Sequence, residues 1–518
     1  MIKSRLNFYH RVLSIPVLIF IITFINTACH SNNENNSGKN TKDNSNEDSS
    51  GKNTMVEVWL TTGDTSKKLL QQQPNINFKT VTENSSLLIE VNGPKYQQIE
   101  GFGAALTDSA AWLIYHQLSA DKRNELMNKL FSPDDGIGIN YLRLPLGGSD
   151  FVNGVAYTYD DISCGETDWQ LNQFSIQHDK EYIIPILKEA MIKNPQLKII
   201  ASPWTAPAWM KENCSLYDGQ LKNEPGYTEV YSDYLVKFIQ AYQEEGISIS
   251  AITLQNEPLY ESQNLPTMGM DWWDQVNLLV YNLVDKLNNI KANTKILVYD
   301  HNWENYDYAL NVLNDLETNH SQYYQAVSGT AFHCYQGSPE RQSDIYNIHP
   351  KKDIYFTECS GWYFSGQDAD NNFASDLVWQ SQNLIIGAIR NWAKTVIWWN
   401  LALDQDGGPH LASACGENEG KRCRGMVTIN TENNQVSYHV EYYVIGHASK
   451  FLKSEAYRID STTFPGIIET VAFQNPDNSK VLIVLNSSEE SLAFGVKWKG
   501  QYFDYNLDKH SIVTFKWP

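Results

Sequence analysis

From residue 96 to about residue 400 the chain repeats one pattern. A short apolar run leads to a polar tip, and a longer stretch with apolar positions every three or four residues follows. The runs are YQQIEGFGAA from Tyr96, INYLRLPLG from Ile139, LKIIASPWT from Leu197 and ISAITLQNE from Ile249. Four more follow: TKILVYDHN from Thr294, GTAFHCYQG from Gly329, KDIYFTECS from Lys352 and KTVIWWNLAL from Lys394. Each reads as a buried strand, because a short apolar run bounded by turn residues fits a strand covered on both faces. Ser232–Glu245 and Trp273–Asn289 have the spacing of amphipathic helices. Eight strand–helix alternations predict a (β/α)8 barrel, with a doubly wound open sheet as the competing arrangement.

Flanking segments have a different period. VEVWLTT and SSLLIEVNG precede the repeat, and GIIETVAFQ, SKVLIVLNS, LAFGVKWKG and SIVTFKWP follow a last helix at Tyr438–Leu452. Neither group is large enough to stand alone, so together they predict one β-sandwich beside the barrel. The expected organisation is 55–95 for the first sandwich strands, 96–452 for the barrel and 453–518 for the remaining sandwich strands.

The first 54 residues lie outside this pattern. Lys3, Arg5 and Arg11 precede an apolar run from Val12 to Phe24, then Thr27-Ala28-Cys29. That is the layout of an export signal over residues 1–29, with Cys29 placed as the lipidated cysteine of a bacterial lipoprotein. Residues 30–54 are almost wholly polar and read as a flexible tether. The expectation is an exported, outer-membrane-anchored enzyme that meets the membrane through its lipid only. Export permits disulfides. Cys415 and Cys423 bracket a short polar loop and form the candidate pair, while Cys164, Cys214, Cys334 and Cys359 can pair in three ways.

Charge narrows the partners. Forty Lys and Arg against sixty Asp and Glu give a net charge of −20, which repels phosphate and excludes nucleic acid as a partner. Neither a CxxC pair nor an HExxH helix is present, so no metal and no cofactor are expected. GFGAALTDSA half-matches a dinucleotide loop but lacks the third glycine, and a tight strand-to-helix turn explains its glycines better. Fifteen Trp and 29 Tyr suit a cleft in which sugar faces stack on rings.

In such a barrel the chemistry sits where the strands end. The polar tips are Asp108, Arg143, Asp150, Trp204, Asn256, Glu257, Asp300, His301, His333, Tyr335, Glu358, Trp399 and Asn400. Two tips end in a glutamate, Glu257 on the fourth strand and Glu358 on the seventh, three repeats apart. Two facing carboxyls in an aromatic cleft can break a glycosidic bond, one as acid and the other as nucleophile or base. Trp272, Trp273 and Trp303 read as packing residues.

At these tips the sequence resembles glycoside hydrolase family 30. GFGAALTDSAA, YLRLPLGGSDF, ASPWTAPAWMK, TLQNEP, FTECSG, WWNLALDQDGGP and EYYVIGHASKF follow the family's order. The resemblance implies a (β/α)8 barrel with a β-sandwich and a retaining mechanism, with Glu257 as acid/base and Glu358 as nucleophile. It implies sugar contacts at or near Asp108, Asp150, Trp204, Asn256, Tyr335 and Trp399. We add His333 and Asn400 as candidate contacts, and Arg143 as the cation that keeps Glu358 ionised. Cys359-Ser360-Gly361 and the cysteine-bearing loop after the eighth strand are similar to the β-1,6-glucanase branch. The expected substrate is therefore a β-glucan polysaccharide or oligosaccharide, cut internally. The alternatives are an exo-acting β-glucosidase or glucosylceramidase-like enzyme, or an inactive glycan-binding lipoprotein.

Overall fold

The computed structural model describes residues 54–518, apart from 65–67, 82–85, 365–368, 413 and 415–420. The export signal, Cys29, the tether and Cys415 lie outside the described residues. Among the described residues, no helix is long and apolar enough to cross a membrane.

Eight parallel strands close into a barrel. In chain order they are Gly101–Ala105, Tyr141–Leu146, Lys198–Pro203, Ala251–Thr253, Lys295–Asn302, Val327–His333, Asp353–Glu358 and Ala393–Trp398. Six of the predicted runs contain a whole strand, and the sixth and eighth strands begin slightly before their runs, at Val327 and Ala393. The eighth pairs with the first through Thr395↔Gly101, which closes the ring. Gly103 has a steric reason here: a Cβ would sit 1.8 Å from the Tyr141 carbonyl oxygen. The glycines of GFGAA thus lie in the first strand, where only glycine admits the neighbouring backbone, and not in a turn after it. Tyr141, Ile200, Ala251, Leu297, Ala331, Tyr355 and Ile397 fill the barrel interior as one buried cluster.

Helices cover the outside. Tyr227–Glu244 buries Tyr227, Val230, Tyr231, Tyr234, Leu235, Phe238, Ile239 and Tyr242, a continuous stripe at helical spacing. Trp272–Leu278 and Val284–Asn289 form one helical stretch with a wider π turn at Leu279–Leu283 between them.

The flanking strands form one nine-stranded sheet. Met55–Thr62 pairs with Ser511–Trp517, and Leu88–Gln98 pairs with both Tyr457–Ser461 and Leu492–Trp498. Its apolar core includes Val58, Val91, Leu482, Val484, Phe494, Phe503 and Phe515. One expected boundary moves. Tyr96–Gln98 belongs to the sandwich strand, with Gln98 opposite Tyr457, and the barrel strand begins only at Gly101. An apolar run does not reveal which sheet its first residues join, because that depends on a partner 359 residues away.

Candidate active site

The strand tips converge at one end of the barrel. Glu257, just past the fourth strand, has φ +45°, and Tyr299 and Asp300 in the fifth have +78° and +72°. Side chains rarely adopt this left-handed backbone, and such strain gathers where a side chain has to be aimed. The Tyr299–His301 segment also breaks the ladder to the sixth strand, a bulge that redirects Asp300. The Glu257 N–H donates to the Asp300 carbonyl at 3.0 Å, fixing the two tips to each other.

One oxygen of Glu257, one oxygen of Glu358 and a ring nitrogen of His333 lie within 4.8 Å of one another. A chain of polar contacts joins the two glutamates. His333 Nδ1 is 3.0 Å from Glu257 Oε1, and its Nε2 is 3.0 Å from Asp300 Oδ1. Arg143 Nη2 donates to Asp300 Oδ2 at 2.9 Å and to Asn256 Oδ1 at 2.7 Å, while Nη1 forms an ion pair with Glu358. Tyr335 donates its hydroxyl to Glu358 Oε1 at 2.7 Å. The Arg143 guanidinium also lies 4.8 Å from the Trp204 ring and 5.6 Å from Trp399. Those two indoles stack at 5.0 Å and 19°.

Electrostatics follow from these contacts. Burial opposes a charge on His333, yet Glu358 and Asp300 outweigh it and raise the imidazole to about 9. Burial would raise Asp300 too, but Arg143 and His333 hold it well below the usual carboxylate range. Burial lifts Glu358, and the charge of Glu257 adds to that, against His333, Arg143 and Tyr335. In Glu257, burial is overcome by His301 and His333, and the group is lowered. Carboxyls this close titrate as a coupled pair rather than as two independent acids. Asp150 is pushed up to about 8 by burial and by Glu358 and Glu257. Its Oδ1 is buried without a hydrogen-bond partner.

The expected residues divide into groups. Arg143 meets its expected position on Glu358. Asn256 gives its oxygen to Arg143, which leaves its amide N–H group as the end able to reach a hydroxyl. His333 requires a correction: expected on substrate, it is wholly buried, and both ring nitrogens face carboxylates. It supports the glutamates and has no edge for a sugar.

Asn400 is buried and accepts from Thr107, bracing the eighth strand tip against the helix that follows the first. Asp108 accepts from Asn153 N, His178 Nε2 and Tyr182 Oη, so a hydroxyl could reach it only through a remaining lone pair. Trp303 is buried and donates to Gln342, a packing role.

Sequence reasoning missed Asp300. Ser202, Thr253 and Thr357, from the third, fourth and seventh strands, all donate to its carboxylate. Its place at a strand tip was visible, but its centrality was not. The four cysteines left open pair as Cys164–Cys214 and Cys334–Cys359. Cys423 is in a disulfide, and the expected pairing with Cys415 lies outside the described residues.

A closed (β/α)8 barrel with paired strand-end glutamates in an aromatic cleft defines the class, an O-glycosyl hydrolase. The chain belongs to glycosyl hydrolase family 30: the family's TIM-barrel domain matches residues 99–452, and its beta sandwich domain matches 455–515. It is 32% identical over 442 residues to the endo-1,6-beta-D-glucanase BGN16.3 of Trichoderma harzianum, covering 82% of this chain and 84% of the relative. The lysosomal acid glucosylceramidase of Mus musculus is 28% identical over 447 residues, covering 82% of each. Among solved structures, the endo-beta1,6-glucanase BT3312 superposes with a TM-score of 0.79 at 32% identity, covering 89% of this chain and 99% of that one.

Proposed function

We propose that this glycosidase is a retaining endo-β-1,6-glucanase. The observation that supports the reaction type is that one oxygen of Glu257 lies within 4.8 Å of one oxygen of Glu358, so the two carboxyls face each other at close range. Retaining enzymes hold their carboxyls about 5–5.5 Å apart, and inverting enzymes need roughly 6.5–9.5 Å to admit a water. In the first step the Glu358 carboxylate attacks the anomeric carbon. The glycosidic C–O bond breaks, and Glu257 gives its proton to the departing oxygen. Glu257 then takes a proton from water, whose oxygen displaces Glu358 from the sugar. The first step needs Glu257 protonated and Glu358 ionised. Arg143 and Tyr335 bind the Glu358 carboxylate directly and favour its charged form. In this reading the Asn256 amide donates to the sugar's 2-hydroxyl, and Asp150 and the Trp204–Trp399 pair line the same subsite.

Support for the β-1,6 linkage comes from the two glucanase relatives, each more similar to this chain than the glucosylceramidase is. The test is product analysis on linear β-1,6-glucan, xylan and glucosylceramide. Oligosaccharides from the first substrate alone support the assignment. Release of glucose only, or turnover of the lipid alone, replaces it with the exo-acting reading. Residues 1–29 support export and anchoring at Cys29. Cys29→Ser is then expected to move the enzyme from the membrane fraction to the soluble one, and an unchanged distribution rejects the anchor.

A further inference from the structure

The Cys334–Cys359 disulfide bridges the sixth and seventh barrel strands at the first residue beyond each. Both sulfurs belong to the main apolar core, behind the cleft. Their chain neighbours face the other way, as alternation along an extended chain requires. His333, before Cys334, holds Glu257 and Asp300, and Tyr335, after it, donates to Glu358. On the other strand, Glu358 precedes Cys359. Ser360 follows it, with its hydroxyl 3.2 Å from that of Tyr335. Every residue flanking the crosslink therefore contacts a catalytic glutamate or a residue that holds one.

Backbone pairing between these two tips is irregular, although the Cys359 carbonyl accepts from the Trp399 N–H at 2.9 Å on its other side. The register between the two strands slips by one residue, with Phe356 opposite Phe332 but Glu358 opposite His333. A bulge of this kind interrupts the ladder hydrogen bonds. Beyond His333 and Glu358 the two strands have ended, and the disulfide is the covalent tie between tips that otherwise meet through the Tyr335 hydroxyl's contacts with Glu358 and Ser360.

We propose that Cys334–Cys359 is a positioning device for the catalytic pair, setting the distance of Glu358 from Tyr335 and from the His333–Glu257 contact. The inference rests on the catalytic roles given above to the two glutamates. Removing the crosslink leaves substrate binding by Trp204, Trp399 and Asp150 in place and lets the nucleophile wander. Misplacement by about 1 Å costs on the order of a hundredfold in rate.

The test compares the wild-type protein with C334A/C359A and, as a control, C164A/C214A, which lacks the crosslink between the loops after the second and third strands. For C334A/C359A we expect kcat to fall about 10- to 100-fold on a β-1,6-glucan oligosaccharide, with KM within about twofold. The acid limb of its pH–rate profile should shift as well. The control should lose thermal stability and keep both profile and kcat. A C334A/C359A enzyme with wild-type kcat and pH profile, whatever its melting temperature, overturns the proposal. C334V/C359A, closer in volume, covers the case in which the alanine pair does not fold. Wild-type turnover in the same assay separates failure of this inference from failure of the proposed activity.

Discussion

The imidazole of His333 stands between two carboxylates, 3.0 Å from Glu257 through Nδ1 and 3.0 Å from Asp300 through Nε2. It is a buried cation in the strand between those carrying Asp300 and Glu358. Together with Arg143 it balances the negative charge that Asp300 and the glutamate pair concentrate at the barrel mouth. This arrangement governs most of what can be measured.

His333 makes folding stability depend on pH at the alkaline end. Its folded value of about 9 lies above the unfolded value of about 6.5. The stabilisation is therefore complete below about pH 6.5 and is lost as pH rises through about 9. Thermal midpoints of the wild-type protein should fall across that window, and those of His333→Gln should fall less. Equal slopes for the two proteins would show that the imidazole is not the group responsible.

Asp300 anchors both cations. In Asp300→Asn, Arg143 and His333 lose their buried counter-charge, and removing one partner of a buried pair typically costs about 3–5 kcal/mol. Denaturant unfolding should report a loss of that order. Activity of whatever folded enzyme remains should also drop, because His333 would lose one of the two carboxylates that hold it charged against Glu257. A stability loss under about 1 kcal/mol would mean that the surrounding hydroxyls of Ser202, Thr253 and Thr357 suffice.

The two glutamates should respond differently to amidation. Glu358→Gln removes the nucleophile, and turnover should fall by about three orders of magnitude or more on every substrate. Glu257→Gln removes the general acid, worth about 10²–10⁴-fold. That loss should be large for a sugar leaving group and small for an activated aryl glycoside, which departs without a proton. Steady-state rates on both substrate types decide the assignment. A reversed pattern would exchange the two roles.

Asp150, raised to about 8, is protonated at neutral pH and can donate as well as accept. Asp150→Asn preserves that capacity, so its KM at pH 7 should stay within a few-fold of wild type, whereas Asp150→Ala should raise KM about tenfold. Above pH 8 the wild-type KM should climb while that of Asp150→Asn stays flat. A wild-type KM that does not change between pH 7 and 9 would show that Asp150 does not titrate in contact with substrate.

The sequence alone determined the eight strands, their polar tips and the two glutamates. Those features repeat locally: each strand is a short apolar run, and each tip is a polar or aromatic residue near or just beyond its end. It also determined that early and late strands had to combine, since neither set could bury its apolar face alone. What only the tertiary structure decided is which tips touch. Asp300 was one polar tip among many until barrel closure brought Arg143, 157 residues earlier in the chain, within 2.9 Å of it. His333 could not be told from a sugar ligand until both its nitrogens were seen facing carboxylates. The pairing of Cys334 with Cys359 depends on a Cα separation of 5.3 Å, which spacing along the chain does not encode. The physical reason is the same in each case. Burial patterns arise from neighbours in the chain, whereas charge pairing and covalent crosslinks depend on distances set when the ring of strands closes.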